Sequence, residues 1–287
     1  MNIIRFNPKA DDLQRRDLIF DGNFILYSKR KSLENITEYA KSLITSAFGK
    51  DAEKAQYSMD VTEFVKIAGA LKTEFTNSAK TKELIKDILS EFNIDLTKTY
   101  FDVPRMRIVT SDNFLTAGVG YAYKAHRDTW YAAPLAQANW WMPVYDGVTE
   151  NTMSIYPYYW NNVIKNSSEI HDYDEWCNEG RKLASSLIDK DNRKHPLPID
   201  KVDETTETRF VLASGEIMVF SAAQLHATAP NTSGKTRFSI DFRTVHMDDV
   251  KQNRGAKNID NKSTGSTLFD FIRGNDFEKI NKNVLQD

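Results

Sequence analysis

The sequence predicts a mainly β protein with helices, of α+β class, in which a helical layer packs on one sheet of a barrel- or sandwich-like core. Three observations predict it. Apolar residues recur at helical spacing between residues 33 and 95. Residues 100–160 and 209–246 form β-branched and aromatic runs broken by Gly118, Gly120, Pro134, Pro143, Gly147 and Pro157, the punctuation of short strands and turns. In the last run Arg237, Ser239, Asp241 and Arg243 alternate with Phe238, Ile240 and Phe242, so one face is polar and the other apolar.

The elements follow in order. Ile36, Ala40, Leu43 and Ala47 define a first amphipathic helix, Phe64, Ile67, Leu71 and Phe75 a second, and Leu84, Ile88 and Phe92 a third. Ser32 is a candidate cap for the first, and Asp60 with Glu63 a capping pair for the second. Their apolar stripes require burial against a sheet or a second subunit, which leaves the oligomeric state open. Residues 161–208 read as an insertion, a lid or edge elaboration, with a helix over 175–188. The tail, 250–287, is polar and mobile over 251–266 and helical over 268–280. Residues 1–287 are expected to form a single domain.

Thirty-eight basic against 40 acidic residues give a formal charge of −2, which offers no footprint for nucleic acid or an anionic membrane. Cys177 is the only cysteine, so neither an intrachain disulfide nor a thiolate metal cluster can form, and a reducing cytoplasm is the expected compartment. No stretch has signal-peptide or membrane-spanning character, so a soluble protein acting on a small molecule is expected.

The chemistry concentrates in His126-Arg127-Asp128 and in His226, a hundred residues on. On an extended strand His126 and Asp128 project to one side. With His226 they can occupy one face of a divalent metal and leave the other open, an arrangement suited to Fe(II) and O2. Arg237 and Ser239, on the polar face that follows, suit a carboxylate, such as that of an oxidisable co-substrate. His126-Arg127-Asp128 also spells the start of a kinase catalytic loop, but Ala133 stands where that loop needs Asn, and no glycine-rich phosphate loop accompanies it. Arg127 should point away from the metal into a surface salt bridge. His171, His195 and His246 are expected on the surface or in satisfied hydrogen bonds, and Cys177 in packing.

His126-x-Asp128, the stretch NWWMPVYDGVTENTMSIYP and the block GEIMVF…LHATAPNTSGKTRFSIDFR together resemble the phytanoyl-CoA dioxygenase-like branch of the Fe(II)/2-oxoglutarate oxygenases, over residues 103–244 without the insertion. The resemblance implies a double-stranded β-helix, a jelly-roll, cupin-like core with helices packed on one sheet. It implies that His126, Asp128 and His226 ligate iron, and that Arg237, helped by Ser239, holds the distal carboxylate of 2-oxoglutarate. The implied reaction consumes O2 and 2-oxoglutarate, releases succinate and CO2, and hydroxylates an unactivated carbon. Asp128 favours hydroxylation over halogenation, because related halogenases carry a small residue there. Tyr156-Pro157-Tyr158-Tyr159-Trp160 departs from the family's Pro-Gly-Ser-His turn, in the region that reads substrate.

By the same resemblance Asn113 is a candidate partner of the co-substrate, with a turn through Ser111-Asp112-Asn113 as the alternative. Arg105, Arg107 and Arg243 are candidates for an anionic substrate, with a solvated strand face as the alternative. Tyr123, Trp141 and Tyr158 are candidate pocket walls, and Gln137 marks the interior side of its strand. Two other readings stand beside this one. One is a cupin-type iron enzyme that needs no 2-oxoglutarate, and the other is a non-catalytic jelly-roll binding module.

Overall fold

The computed structural model describes residues 3–180 and 193–281. Most strands belong to an eight-stranded sheet with the order β1 (Ile4–Phe6), β2 (Phe24–Tyr27), β8 (Ile217–Ser221), β5 (Ala138–Pro143), β10 (Arg237–His246), β3 (Thr99–Phe101) and β11 (Ile272–Arg273). β4 (Arg105–Val109) pairs with the first half of β10, and β3 with its end. A second, three-stranded sheet has the order β7 (Thr208–Arg209), β6 (Met153–Ile155) and β9 (His226–Thr228).

Side-chain alternation assigns the faces of the large sheet. Phe238, Ile240 and Phe242 of β10, Trp140 and Met142 of β5, Met106 and Ile108 of β4, and Ile217 and Val219 of β8 share one core. That core also holds the stripes of α2 (Lys31–Phe48), α3 (Val61–Asn77) and α4 (Ala79–Glu91), led by Ile36, Phe64, Leu71, Phe75 and Ile88. The opposite face, through Phe24, Trp141, Met218 and Phe220, packs on Met153, Ile155, Phe210 and Leu212 of the small-sheet side. Trp140 stacks on Phe242 at 5.5 Å and donates its indole N–H to Thr244 Oγ1, so its burial leaves no donor unmet. Among the described residues no helix is long and apolar enough to cross a membrane.

The local signals were read with mixed success. Asp60 caps α3 by accepting from the amides of Thr62 and Glu63. Ser32 does not cap α2. It lies inside the helix, and the Glu91 carboxylate at the end of α4 accepts from its amide instead. The chain also forms a helix the stripe analysis passed over, α1 (Asp12–Phe20), closed at its start by a reciprocal capping box between Asp11 and Gln14. The expected helix over 268–280 is a 3-10 turn, Thr267–Asp270, followed by β11. Of the helix expected over 175–188, the described part is a π-helical turn, Trp176–Gly180, and residues 181–192 lie outside the described residues.

The tail expected to be mobile is packed. Ala256 is buried, and the bare Cα of Gly255 sits where a Cβ would lie 2.5 Å from the Leu135 carbonyl carbon. Asp260 is the anchor: its carboxylate takes Arg127 Nε at 3.0 Å and Trp130 Nε1 at 2.7 Å. Arg127 is therefore not in a surface salt bridge. It is 1% exposed, and it also donates to the carbonyls of Ala223, Tyr159 and Asn162. Replacing Asp260 by Ala leaves a buried guanidinium without its carboxylate, and denaturant unfolding should register a loss of about 3 to 5 kcal/mol. Adding Arg127→Met should recover part of that loss, and strict additivity of the two changes would sink the pairing.

Candidate metal centre

His126 is joined to His226 by two backbone hydrogen bonds, 2.8 Å from His126 N and 2.9 Å from His226 N, each to the other's carbonyl. Directly opposed residues of an antiparallel pair project to the same face. The two rings accordingly lie 4.3 Å apart between centroids. Asp128 does not continue a strand from His126. It opens a 3-10 turn, Asp128–Tyr131, and this turn brings its carboxylate back beneath both rings. Asp128 Oδ1 lies 3.4 Å from His126 Nε2 and 3.8 Å from His226 Nε2, and one ligand atom of each of the three residues lies within 4.8 Å of the others.

Hydrogen bonding on the far side of each group leaves those atoms available. His126 Nδ1 faces the Lys124 carbonyl at 2.7 Å and His226 Nδ1 the Gln224 carbonyl at 3.0 Å, partners that place the proton on Nδ1 and a lone pair on Nε2. The second carboxylate oxygen, Asp128 Oδ2, accepts from Asn139 Nδ2 at 2.8 Å and Gln137 Nε2 at 3.2 Å. Asn139, two residues from Gln137 and so on the same face of β5, owes this bond to the turn at Asp128, which periodicity does not show. Burial and the positive charge of His126 lower the His226 imidazole to about 4. Burial alone raises the Asp128 carboxyl, but the His126 hydrogen bond, the charges of the two imidazoles and the Asn139 amide outweigh it and hold the group at about 2. A neutral His226 and an ionised Asp128 at neutral pH are the forms that ligate a metal.

On the interior face of the larger sheet, Arg237 of β10 is 7% exposed, and its Nη1 donates to the carbonyls of Asn151 and Thr152 at 3.0 and 2.9 Å. Its Nε and the hydroxyl of Ser239 are buried with no partner among the described residues. Burial and the charge of Arg107 pull the guanidinium down to about 10, so it stays cationic at neutral pH, with the Trp141 ring 5.8 Å away.

The remaining candidates divide. Tyr123 packs against His126 at 5.3 Å, and Gln137 and Trp141 face the interior as above. Asn113 is exposed at the tip of a turn with φ of 57°, the turn alternative, and is no part of this cluster. Tyr158 is 55% exposed on the turn Pro157–Trp160 and lines nothing here. Arg105, Arg107 and Arg243 are not unpaired strand cations. Arg107 binds Asp241 in bidentate fashion at 2.6 and 3.1 Å, Arg105 pairs with Asp102, and Arg243 lies 3.1 Å from Asp102 and 3.2 Å from Asp241. His171, His195 and His246 are buried, and the hydrogen-bonded alternative holds for His195, beside the Tyr131 hydroxyl, and for His246, which accepts from the Asp248 amide. His171 and His195 gather with Tyr121 and Trp176 around Tyr131, whose hydroxyl is 3.1 Å from His195 Nδ1.

No protein-family model matches the chain, and no curated protein sequence does. Among solved structures the chain is similar to EvdO2 from Micromonospora carbonacea var. aurantiaca, at 13% identity over 86% of this chain and 94% of that one, with a TM-score of 0.48. It is similar to the same protein complexed with 2-oxoglutarate at 14% identity, 83% and 91% coverage and a TM-score of 0.48. It is also similar to SnoN, the non-heme alpha ketoglutarate dependent epimerase from nogalamycin biosynthesis, at 10% identity, 82% and 84% coverage and a TM-score of 0.38. Similarity this loose assigns no chemistry to the chain.

Two outcomes follow from the geometry. In metal-free protein His226 binds a proton less readily folded, near 4, than unfolded, near 6.5, so the unfolded chain carries more protons between those values. Stability is then present above pH 6.5 and lost as pH falls through 4, by about 3 kcal/mol. Denaturant midpoints of wild type and His226→Gln across that window check this, and parallel pH profiles would remove the cause. Replacing Asn139 by Ala removes the shorter of the two amide bonds to Asp128 Oδ2, and Zn(II) affinity measured against a chelator should fall roughly 10- to 100-fold.

Proposed function

We propose that the protein is a non-heme Fe(II)/2-oxoglutarate-dependent oxygenase that hydroxylates an unactivated carbon of a small polar or anionic metabolite, with succinate and CO2 as co-products. In this reading its two sheets are the halves of a double-stranded β-helix of the phytanoyl-CoA dioxygenase-like kind. Residues 1–287 form one catalytic domain, 161–208 are a covering insertion, and the compartment is the cytoplasm. One observation carries the reading. Two imidazole Nε2 atoms and a carboxylate oxygen converge with their supporting bonds on the far side, and β10 of the larger sheet carries an arginine Nε and a serine hydroxyl buried without acceptors among the described residues.

The residues fit both absent groups. His126, Asp128 and His226 offer the donor set of a facial triad, two imidazoles and one carboxylate, which leaves positions open for a bidentate co-substrate and O2. Arg237 Nε and Ser239 Oγ are the unmet donors that a carboxylate would satisfy, and a buried donor left unmet is costly. Iron, 2-oxoglutarate and O2, when bound, supply the oxidising chemistry. The chain supplies position. Gln137 and Asn139 hold Asp128 Oδ2 so that Oδ1 alone faces the metal. The carbonyls of Lys124 and Gln224 fix both ring orientations, and Trp141 and Phe220 wall the interior against water.

Anaerobic titration of Fe(II)-loaded protein with 2-oxoglutarate tests the proposal. A saturable visible charge-transfer band, then succinate on admitting air, is the expected result. Iron binding with neither would favour the cupin-type enzyme, and no iron binding the binding module. Arg237→Gln should weaken 2-oxoglutarate by roughly 2 to 4 kcal/mol, tens-fold or more, and leave iron affinity unchanged. Unaltered co-substrate affinity would remove Arg237 from this role.

A further inference from the structure

Arg243 of β10 stands opposite Asn139 of β5, and directly opposed residues of an antiparallel pair share a face. Both side chains address the same atom. Asn139 donates to Asp128 Oδ2 at 2.8 Å, and Arg243 Nε lies 3.6 Å from that oxygen, too far for a hydrogen bond but within the range of an ion pair. The guanidinium is held there from behind. Its Nη1 lies 3.1 Å from Asp102 Oδ2 and 3.2 Å from Asp241 Oδ2, and Asp102 Oδ1 accepts from the Arg243 amide at 2.7 Å. Asp102 and Asp128 are both buried, so salt and water screen these charges little.

Each of the rear carboxylates already has an arginine of its own. Arg105 pairs with Asp102, and Arg107 grips Asp241 through Nε and Nη2 at 2.6 and 3.1 Å. Arg243 is therefore the third arginine of a set that faces three carboxylates, and the third carboxylate is the candidate metal ligand Asp128. These six charges cancel among themselves, so a divalent cation bound to Asp128 adds a double charge that nothing in the set compensates. We propose that Arg243 is a positioning residue that acts through Asp128: it backs the outer carboxylate oxygen, and its charge opposes the metal and favours a dianionic co-substrate upon the metal. Metal binding and dianion binding are thereby coupled without any contact between Arg243 and a ligand. The metal half of this inference rests on the three-ligand centre alone, and the co-substrate half rests on the oxygenase reading.

The experiment measures Zn(II) affinity against a chelator on metal-free protein, then 2-oxoglutarate affinity on Fe(II)-loaded protein under nitrogen. Arg243→Met should tighten Zn(II) about tenfold or more and weaken 2-oxoglutarate by a similar factor, because a unit charge a few ångströms from a divalent one, at an effective dielectric of about 20, shifts an equilibrium at least that far. Arg243→Lys keeps the charge and should return both affinities to within about threefold of wild type. A residue that only supports the fold would lower both affinities when replaced, so the opposite signs are the signature. Weaker Zn(II) in Arg243→Met makes Arg243 structural and overturns the proposal. Unchanged Zn(II) with weaker 2-oxoglutarate makes it a direct contact of the co-substrate and also overturns it, and tighter Zn(II) with unchanged 2-oxoglutarate removes the coupling. Asp102 keeps Arg105 and Asp241 keeps Arg107 in the methionine variant; should that variant not fold, Arg243→Gln retains a donor for Asp102 and makes the same comparison. If wild type forms no chelate with 2-oxoglutarate, the oxygenase reading falls, and the Zn(II) comparison still decides the role of Arg243.

Discussion

The site depends on one backbone contact, the reciprocal pair of hydrogen bonds between His126 and His226. A hundred residues separate these histidines, and the backbone, not a bond between the two side chains, sets their rings 4.3 Å apart. The bridge does so by geometry, because opposed residues of an antiparallel pair share a face whatever their side chains are. It also explains why each ring is held by the carbonyl two residues earlier, Lys124 for one and Gln224 for the other. The same local conformation is used twice, once on each side of the bridge, and yields the same tautomer in both rings.

Behind the bridge, the period-two alternation of β10 divides the protein's chemistry. Its apolar residues complete the core beneath α2, α3 and α4, while Arg237, Ser239, Asp241 and Arg243 are set on the interior face. Burying three charged residues on one strand is tolerable only with compensation. Asp241 compensates locally with Arg107, its diagonal neighbour across β4, and Arg243 draws in Asp102 from the β3 end. Arg237 alone finds only carbonyls, so its positive charge is solvated and not neutralised. Arg107 and Arg243, which already have carboxylates, are less able than Arg237 to serve a further anion.

What could be read from the sequence was what depends on period. The three helices, the two strand blocks and the face of Gln137 follow from spacing alone, whereas His126 and Asp128 meet through a 3-10 turn and not through strand alternation. What could not be read depends on contacts between distant segments. Ser32 has the residue type of a cap, but Glu91, fifty-nine residues away, supplies the bond. The tail over 251–266 has a disordered composition, yet Asp260 and Gly255 lock it against Arg127 and Leu135. Arg105, Arg107 and Arg243 were legible as strand cations, while the carboxylates they pair with, Asp102 and Asp241, were not.

Arg127 shows how the ligand segment is held from both sides. Standing between two residues whose side chains converge at the candidate metal centre, it faces the other way, into the layer formed by Trp130, Tyr159, Ile164 and Leu225. A guanidinium there has five donors to satisfy, and it satisfies them on three separate segments: Ala223 before β9, Tyr159 and Asn162 after β6, and Asp260 of the tail. Trp130 adds a further bond to the same Asp260 oxygen. The loop that carries His126 and Asp128 is thus bonded through its backbone to β9 on one face and through Arg127 and Trp130 to the tail on the other. A carboxylate placed on a turn and not on a strand needs such backing, because the turn itself contributes only its few local hydrogen bonds to holding the oxygen in place.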